Sequence, residues 1–550
     1  MGQKNSRKSA NLIMQGGIMT VTAFLVNLSL LLRQIPLTTI WGDKGNSMYS
    51  AAYGLFSFAW LISSYGLPQA VSYLLKPRLK QGQYKNAGKM MQAAVLYATI
   101  FGGVLGALLF LGSSYLMKSV MLEPIAALTL QILSAVLVLT AWNGVLRGFF
   151  IGNGAGFPVV ISMLAEQLIT FVAGFSLAKA LEGYGAKVGA LLQNEAFCRS
   201  FATAGFAGGI FIGAAASFLF LVLLYLMSHS YYKRRNGKDS GRGKESMVQT
   251  VTVFAAALFP IVVYGIFMKG YLLIQQIMFR LFMKDGLGEA VISQQWGSYF
   301  GKYKIFCALP IVLAIAMGTT LRDKVHVFYK KEDYQHMRET VQSMLKVIMI
   351  VVIPAAVMIG MLAEPLLKAF FAGQDIETGA TMLLTGFVTA IFFSAAYLLA
   401  EILWGMKKNG ILMLCGTGAL AAQAGILYVM LEILHLDIYG VLYGDILYSF
   451  CLMIVLGAAV QKKCRLRYGF LQANIPSVIA AAIMGAVLLV LSKALSDAIP
   501  AMGLAILLVA VGTVVYYILL LLLRGVSERE LLLIPGGKWI ILAGRALRLL

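Results

Sequence analysis

Apolar segments of about twenty residues follow one another along almost the whole of this chain. Each is long enough to cross a hydrocarbon core of about 30 Å as a helix. Inside lipid every backbone N–H and C=O must be satisfied without water, so only helices and closed barrels are allowed. A barrel would show short alternating segments, and these are absent. The expected fold class is an all-α polytopic membrane protein with about fourteen transmembrane helices. They are read at 11–40, 47–75, 90–117, 122–146, 158–180, 203–228, 249–280, 296–319, 341–363, 378–404, 409–432, 438–461, 474–493 and 500–523.

The charges are few and asymmetric. Only 12% of residues are charged, against about 25% in soluble domains. The net charge of +22 resides in alternate loops, as the positive-inside rule requires, so no nucleic-acid partner is expected. Lys4, Arg7 and Lys8 precede the first span; Lys76, Arg78, Lys80, Lys85 and Lys89 follow the second. Further basic loops follow the sixth, eighth, tenth and twelfth spans, while Lys44, Lys118, Lys368 and Lys493 stand nearly alone in the others. This alternation predicts a multi-pass protein of the bacterial cytoplasmic membrane with both termini cytoplasmic. The first span is expected to serve as its own insertion signal. Five scattered cysteines with no metal-ligand spacing predict neither disulfides nor zinc.

The polar, basic stretch 229–248 divides the chain. The expected organisation is an N-terminal six-helix lobe (1–232), a basic linker (233–248) and a second six-helix lobe (249–467). Two extra helices (468–524) and an amphipathic tail (525–550) follow. Internal repeats support two lobes. Gln34-Ile35 with Asp43 recurs as Gln276-Ile277 with Asp285. Lys80, Tyr84 and Gln92 recur as Lys330, Tyr334 and Gln342, and Asn153-Gly154 with Gln167 recurs as Asn409-Gly410 with Gln423. Six spans per lobe keep both lobes in one orientation, related by a pseudo-two-fold axis along the membrane normal, with a binding site expected where they meet.

Several of these residues carry a family resemblance. Arg33-Gln34-Ile35-Pro36, Gly42-Asp43-Lys44-Gly45-Asn46, Ala51-Ala52-Tyr53 and Ser63-Ser64-Tyr65-Gly66-Leu67-Pro68 resemble the start of the polysaccharide-transporter branch of the multidrug/oligosaccharidyl-lipid/polysaccharide flippase superfamily. The chain looks like the stage V sporulation protein B type within that branch, which is related to the lipid II flippase. Arg147-Gly148-Phe149-Phe150 with Glu166-Gln167, and Lys304 with Leu309-Pro310, extend the likeness. The chain departs from the pattern at Arg147, at Ile169-Thr170 and at Thr319-Thr320-Leu321. The resemblance implies two six-helix lobes in a V that alternate between inward and outward openings. It implies transport of an undecaprenyl-pyrophosphate-linked oligosaccharide or peptidoglycan precursor, with lipid as the other partner. A monomer without a cofactor, other than a coupling Na⁺ or H⁺, is expected.

A pyrophosphate headgroup needs fixed cations, and the planar fork of arginine suits phosphate. Arg33, deep in the first span, is the first candidate; a structural arginine near the outer end of that span is the alternative. Lys269 and Arg280 in span seven, Lys302 and Lys304 at the start of span eight, and Arg147 at the end of span four are further candidates, or interfacial anchors. Asp445, Glu401 and Glu166 are carboxylates within spans. They suit ion coupling, or pairing with a buried cation. Gly66 and Pro68 suit a hinge. No P-loop and no protease or esterase motif occurs, so a transporter and not an enzyme is expected. The alternatives are a multidrug/cation antiporter of the same superfamily, or a polysaccharide polymerase or ligase.

Overall fold

A computed structural model of the chain describes residues 21–22, 24–236, 239, 245–464, 470–496, 498–531, 538, 541–542 and 545. The first part of the expected first span, most of the basic linker and most of the amphipathic tail, Trp539 and Arg548 included, lie outside these residues. Among the described residues the regular structure is helical and contains no strand. Thirteen helical stretches among the described residues are long and apolar enough to cross a membrane. The first of them, Phe24–Lys80, is 57 residues long and runs from within the first expected span through the whole of the second. It is broken at Gly42, whose φ of 65° and ψ of −171° suit a residue without a Cβ. The interval between the expected spans 11–40 and 47–75 is thus a break of one residue. Asn46 pins it, accepting from Gln34 Nε2 (3.0 Å), Thr38 Oγ1 (3.2 Å) and Trp41 Nε1 (2.8 Å).

The chain divides into two compact units, Met1–Gly297 and Ser298–Leu550. The division falls later than the basic stretch at 233–248, because helix Met247–Gly265 packs within the first unit. Its Leu258 and Ile261 meet the backbone of Gly66, where an added Cβ would lie 2.6 Å from Leu258 Cδ1. Glu245, just before that helix, forks onto Arg78, with Nη2 to Oε2 at 2.8 Å. A π-helical turn, Leu61–Tyr65, ends at Gly66, and Pro68 sits in the first turn of the next helix, Leu67–Lys80. Proline is tolerated there because first-turn N–H groups have no intrahelical acceptor.

Two long helices of the first unit, Gly156–Leu192 and Ala196–Asn236, form a hairpin. Glycines hold them at backbone contact: a Cβ added at Gly209 would fall on the Gly174 Cα, and one at Gly205 on the Leu177 carbonyl. Small residues permit such approach, which gives helices in lipid their van der Waals attraction. Gly209→Leu will therefore lower the thermal unfolding midpoint of the purified protein by more than the usual overpacking cost of about 1–3 kcal/mol, since backbone lies on both sides. An unchanged midpoint would refute this contact.

In the second unit, helices Lys304–Lys330, Tyr334–Met361, Asn409–Tyr428 and Asp437–Cys464 accompany a broken helix, Glu377–Gly386 and Val388–Gly405. Phe470–Leu495 and Ala501–Leu522 are the two further spans. The sequence repeats coincide with matching helix ends. One helix stops at Lys80 and the next starts at Tyr84; another stops at Lys330 and the next starts at Tyr334. π-Helical turns fall at Leu61–Tyr65 and Tyr299–Tyr303, in the corresponding spans.

Ser527 and Glu530 form a capping box, with Ser527 N–H donating to Glu530 Oε2 at 2.9 Å. The same carboxylate receives Lys346 Nζ at 2.9 Å. Burial raises the Glu530 carboxyl, but the Ser527 backbone N–H and Lys346 outweigh it, and the net position is below the usual carboxylate value. A depressed pKa adds stability above the unfolded value and loses it as pH falls through the folded one. Protection of Ser527–Leu531 from hydrogen exchange will therefore fall on acidification below the ordinary carboxylate range. Glu530→Gln will show the low protection already at neutral pH; equal profiles would refute the latch.

Candidate functional site

Two cations of the first unit sit against aromatic rings. Arg33 is 8% exposed and lies just before helix Gln34–Trp60. Its guanidinium covers the Phe206 ring at 5.2 Å. The buried Tyr49 hydroxyl lies beside it, and Tyr49 stacks on Trp41 (5.5 Å) and on Tyr53 (5.4 Å). Tyr49, Tyr53, Phe56 and Trp60 recur at helical spacing and so share one face. At the far end of this stripe Trp60 and Tyr65 flank Lys269, whose Nζ lies 5.9 Å and 4.9 Å from their ring centres. Lys269 belongs to a second π-helical turn, Ile266–Gly270. Gly265 lets that turn approach Leu61–Tyr65, because a Cβ there would lie 2.9 Å from Tyr65. π-Turns within helices are frequent at functional sites. At 1.5 Å per residue, Tyr49 and Trp60 are about 16 Å apart along the helix.

Neither Arg33 nor Lys269 forms an ion pair among the described residues. A cation over a ring gains about 0.5–2 kcal/mol, which leaves the charge able to attract an anion. A cavity of about 640 Å³, lined by Pro36, Thr39, Ile40, Phe175, Ser176, Lys179 and Ala180, includes neither of them.

The other sequence-derived candidates are engaged within the protein. Arg280 is 1% exposed and closes a network. It donates to the Met121 carbonyl and to Ser47 Oγ (2.6 Å), and pairs with Glu123 at 3.4 Å. Ser47 and Ser293 also donate to Glu123, at 2.8 Å and 2.7 Å. The structure thus directs Arg280 to an internal carboxylate and not to open space. Lys302 is buried and donates to the Asp375 carbonyl. Arg147 binds Glu166, Ser162 (3.2 Å) and Ser217 (2.9 Å). Glu401 faces Arg322 at 3.4 Å, and Asp445 faces Lys304 at 2.6 Å. Each carboxylate considered for ion coupling therefore has a cation beside it. Such pairs remove the large cost of a lone buried charge.

Sequence reasoning missed Glu123 and Phe206. Glu123 had a signal, being the sole acidic residue between Asp43 and Glu166. Phe206 had none, since its closeness to Arg33 arises from packing of the hairpin.

This is a multi-pass helical membrane protein, with cations and aromatic rings inside its spans, of the fold shared by the flippases and multidrug transporters of the multidrug/oligosaccharidyl-lipid/polysaccharide superfamily. No family model matches the chain. Its homologues include Lipid II flippase MurJ of Bacillus subtilis (strain 168), 23% identical over 541 residues, covering 88% of this chain and 95% of that one. Stage V sporulation protein B of the same organism is 20% identical over 549 residues, covering 97% and 98%. Among solved structures, Lipid II flippase MurJ in an inward closed conformation matches with a TM-score of 0.58 and 13% identity, covering 91% of this chain and 97% of the other. An inward-facing multidrug resistance MATE family transporter matches with a TM-score of 0.60 and 14% identity, covering 81% and 98%.

Proposed function

We propose that this chain is a flippase that carries a polyprenyl-pyrophosphate-linked sugar across the cytoplasmic membrane by alternating access. The observation that carries this reading is the pair Arg33 and Lys269. Each is held by ring faces and not by a carboxylate, at opposite ends of the stripe Tyr49–Tyr53–Phe56–Trp60. Cations fixed in this way suit pyrophosphate, and aromatic faces suit sugar rings. The loop charges favour an orientation with both termini cytoplasmic, and on that orientation Arg33 stands toward the outer half of its span. The likeness to Lipid II flippase MurJ and Stage V sporulation protein B over most of the chain supports the same substrate class.

The second reading, a multidrug/cation antiporter, is favoured by the likeness to MATE transporters. A cationic drug would need a free carboxylate, whereas Glu166, Glu401 and Asp445 each face a cation. The two readings separate in proteoliposomes. The flippase reading expects the protein to accelerate translocation of a fluorescent polyprenyl-pyrophosphate sugar over protein-free vesicles, and to leave a cationic dye unmoved under Na⁺ or proton gradients. Dye export without lipid translocation would replace it by the antiporter reading.

A further inference from the structure

The helix of residues 377–405 in the second unit is interrupted. Glu377–Gly386 ends at Phe387, Val388–Gly405 resumes, and the Ala390 N–H turns to the Phe387 carbonyl at 3.1 Å. Oxygen atoms gather at this break. The Tyr303 hydroxyl lies 3.2 Å from the Gly386 carbonyl, 3.1 Å from Thr389 Oγ1 and 3.4 Å from Asp445 Oδ2. Asp445 is wholly buried. The interruption is confined to Phe387, which keeps helical dihedrals; a carboxylate, hydroxyls and a backbone carbonyl are the kind of oxygen groups that hold hard cations.

Here a positive charge is already in place. Lys304 Nζ lies 2.6 Å from Asp445 Oδ2, and the faces of Tyr299 and Tyr303 approach it at 5.3 Å and 5.9 Å. An ammonium is a compact point charge on a flexible stem. We propose that Lys304 is a tethered cation filling an oxygen-lined site for a monovalent metal ion, so that the second unit carries permanently the charge that sodium would bring. Asp445, Tyr303, Thr389 and the Gly386 carbonyl form the site, and its chemistry is that of a small alkali cation. Its occupancy is independent of the solute transported and of the ionic composition outside. Removing the tether would convert the site into a sodium site.

The test uses the purified full chain in detergent, with thermal unfolding in sodium chloride compared with choline chloride at equal ionic strength. Wild type is expected to melt at the same temperature in both. Lys304→Ala is expected to melt lower in choline, and to regain stability in sodium with a saturating concentration dependence, as a ligand that binds only the folded state requires. Lys304→Ala combined with Asp445→Asn is expected to lose the sodium response. A sodium-dependent rise in wild type that Asp445→Asn abolishes would overturn the proposal, as would a folded Lys304→Ala indifferent to sodium. Failure of Lys304→Ala to fold in sodium while the double variant folds would also overturn it, since sodium would then be unable to replace the ammonium.

Discussion

Glu123→Ala will lower the unfolding midpoint of the purified protein by the equivalent of about 3–5 kcal/mol, the usual cost of leaving one member of a buried ion pair alone. Arg280 is 1% exposed, and Glu123 is the carboxylate that faces it among the described residues. Removing the carboxylate also strips the Ser47 and Ser293 hydroxyls of their acceptor. Glu123→Gln keeps an acceptor for both and should fall between. The double variant Glu123→Leu/Arg280→Met should recover most of the loss, because replacing both charges by apolar groups removes the desolvation cost along with the attraction. A single variant as stable as wild type would show that the pair does not hold Ser47, the loop at 121–123 and helices Tyr271–Met283 and Glu289–Ser298 together. In that case Arg280 would return as a candidate for substrate.

Arg33→Ala will slow translocation of a polyprenyl-pyrophosphate sugar about ten- to a hundred-fold in proteoliposomes, with little change in stability. A hydrogen bond to a charged group contributes about 1.5–3 kcal/mol, and about 1.4 kcal/mol corresponds to a factor of ten. The fold loses the ring contact with Phe206 and the neighbouring Tyr49 hydroxyl, but no ion pair among the described residues. Arg33→Lys keeps the charge but loses the two-pronged donor geometry, so it should recover part of the rate. Lys269→Ala should act in the same direction, and the effects should multiply if the two cations meet different parts of the headgroup. Wild-type rates in Arg33→Ala with the melting temperature preserved would remove Arg33 from the site.

Much of the fold was legible because hydropathy, span length and loop charge express the same physical demand of the bilayer. The repeats at Lys80/Tyr84 and Lys330/Tyr334, read as a sign of two lobes, fall at helix ends several residues beyond the expected span limits, because polar turns of the helices outrun the apolar segments. The break at Gly42 was legible as a gap between two spans, but its confinement to one residue depends on the bonds that Asn46 makes across it. The candidate site was legible by residue type only. Arg33, Arg147, Lys269 and Arg280 all read alike as cations in apolar sequence. Partners decide between them, and these lie far away: Glu166 for Arg147, Glu123 for Arg280, rings for the other two. Periodicity sorts the faces of a helix but does not choose which neighbour a face will meet.

The glycine-zipped hairpin has a mechanical consequence. Gly156–Leu192 has 37 residues, about 55 Å of helix against a hydrocarbon core of about 30 Å. Its tip at Gln193–Glu195 therefore stands well clear of the lipid on a stem too tightly joined to bend easily. Such a stem is a lever: a few degrees of tilt at its base becomes several ångströms of travel at its end. A spin label or dye at the tip would act as the needle of a gauge, registering rigid-body rocking of the first unit from outside the bilayer while leaving Arg33 and Lys269 untouched.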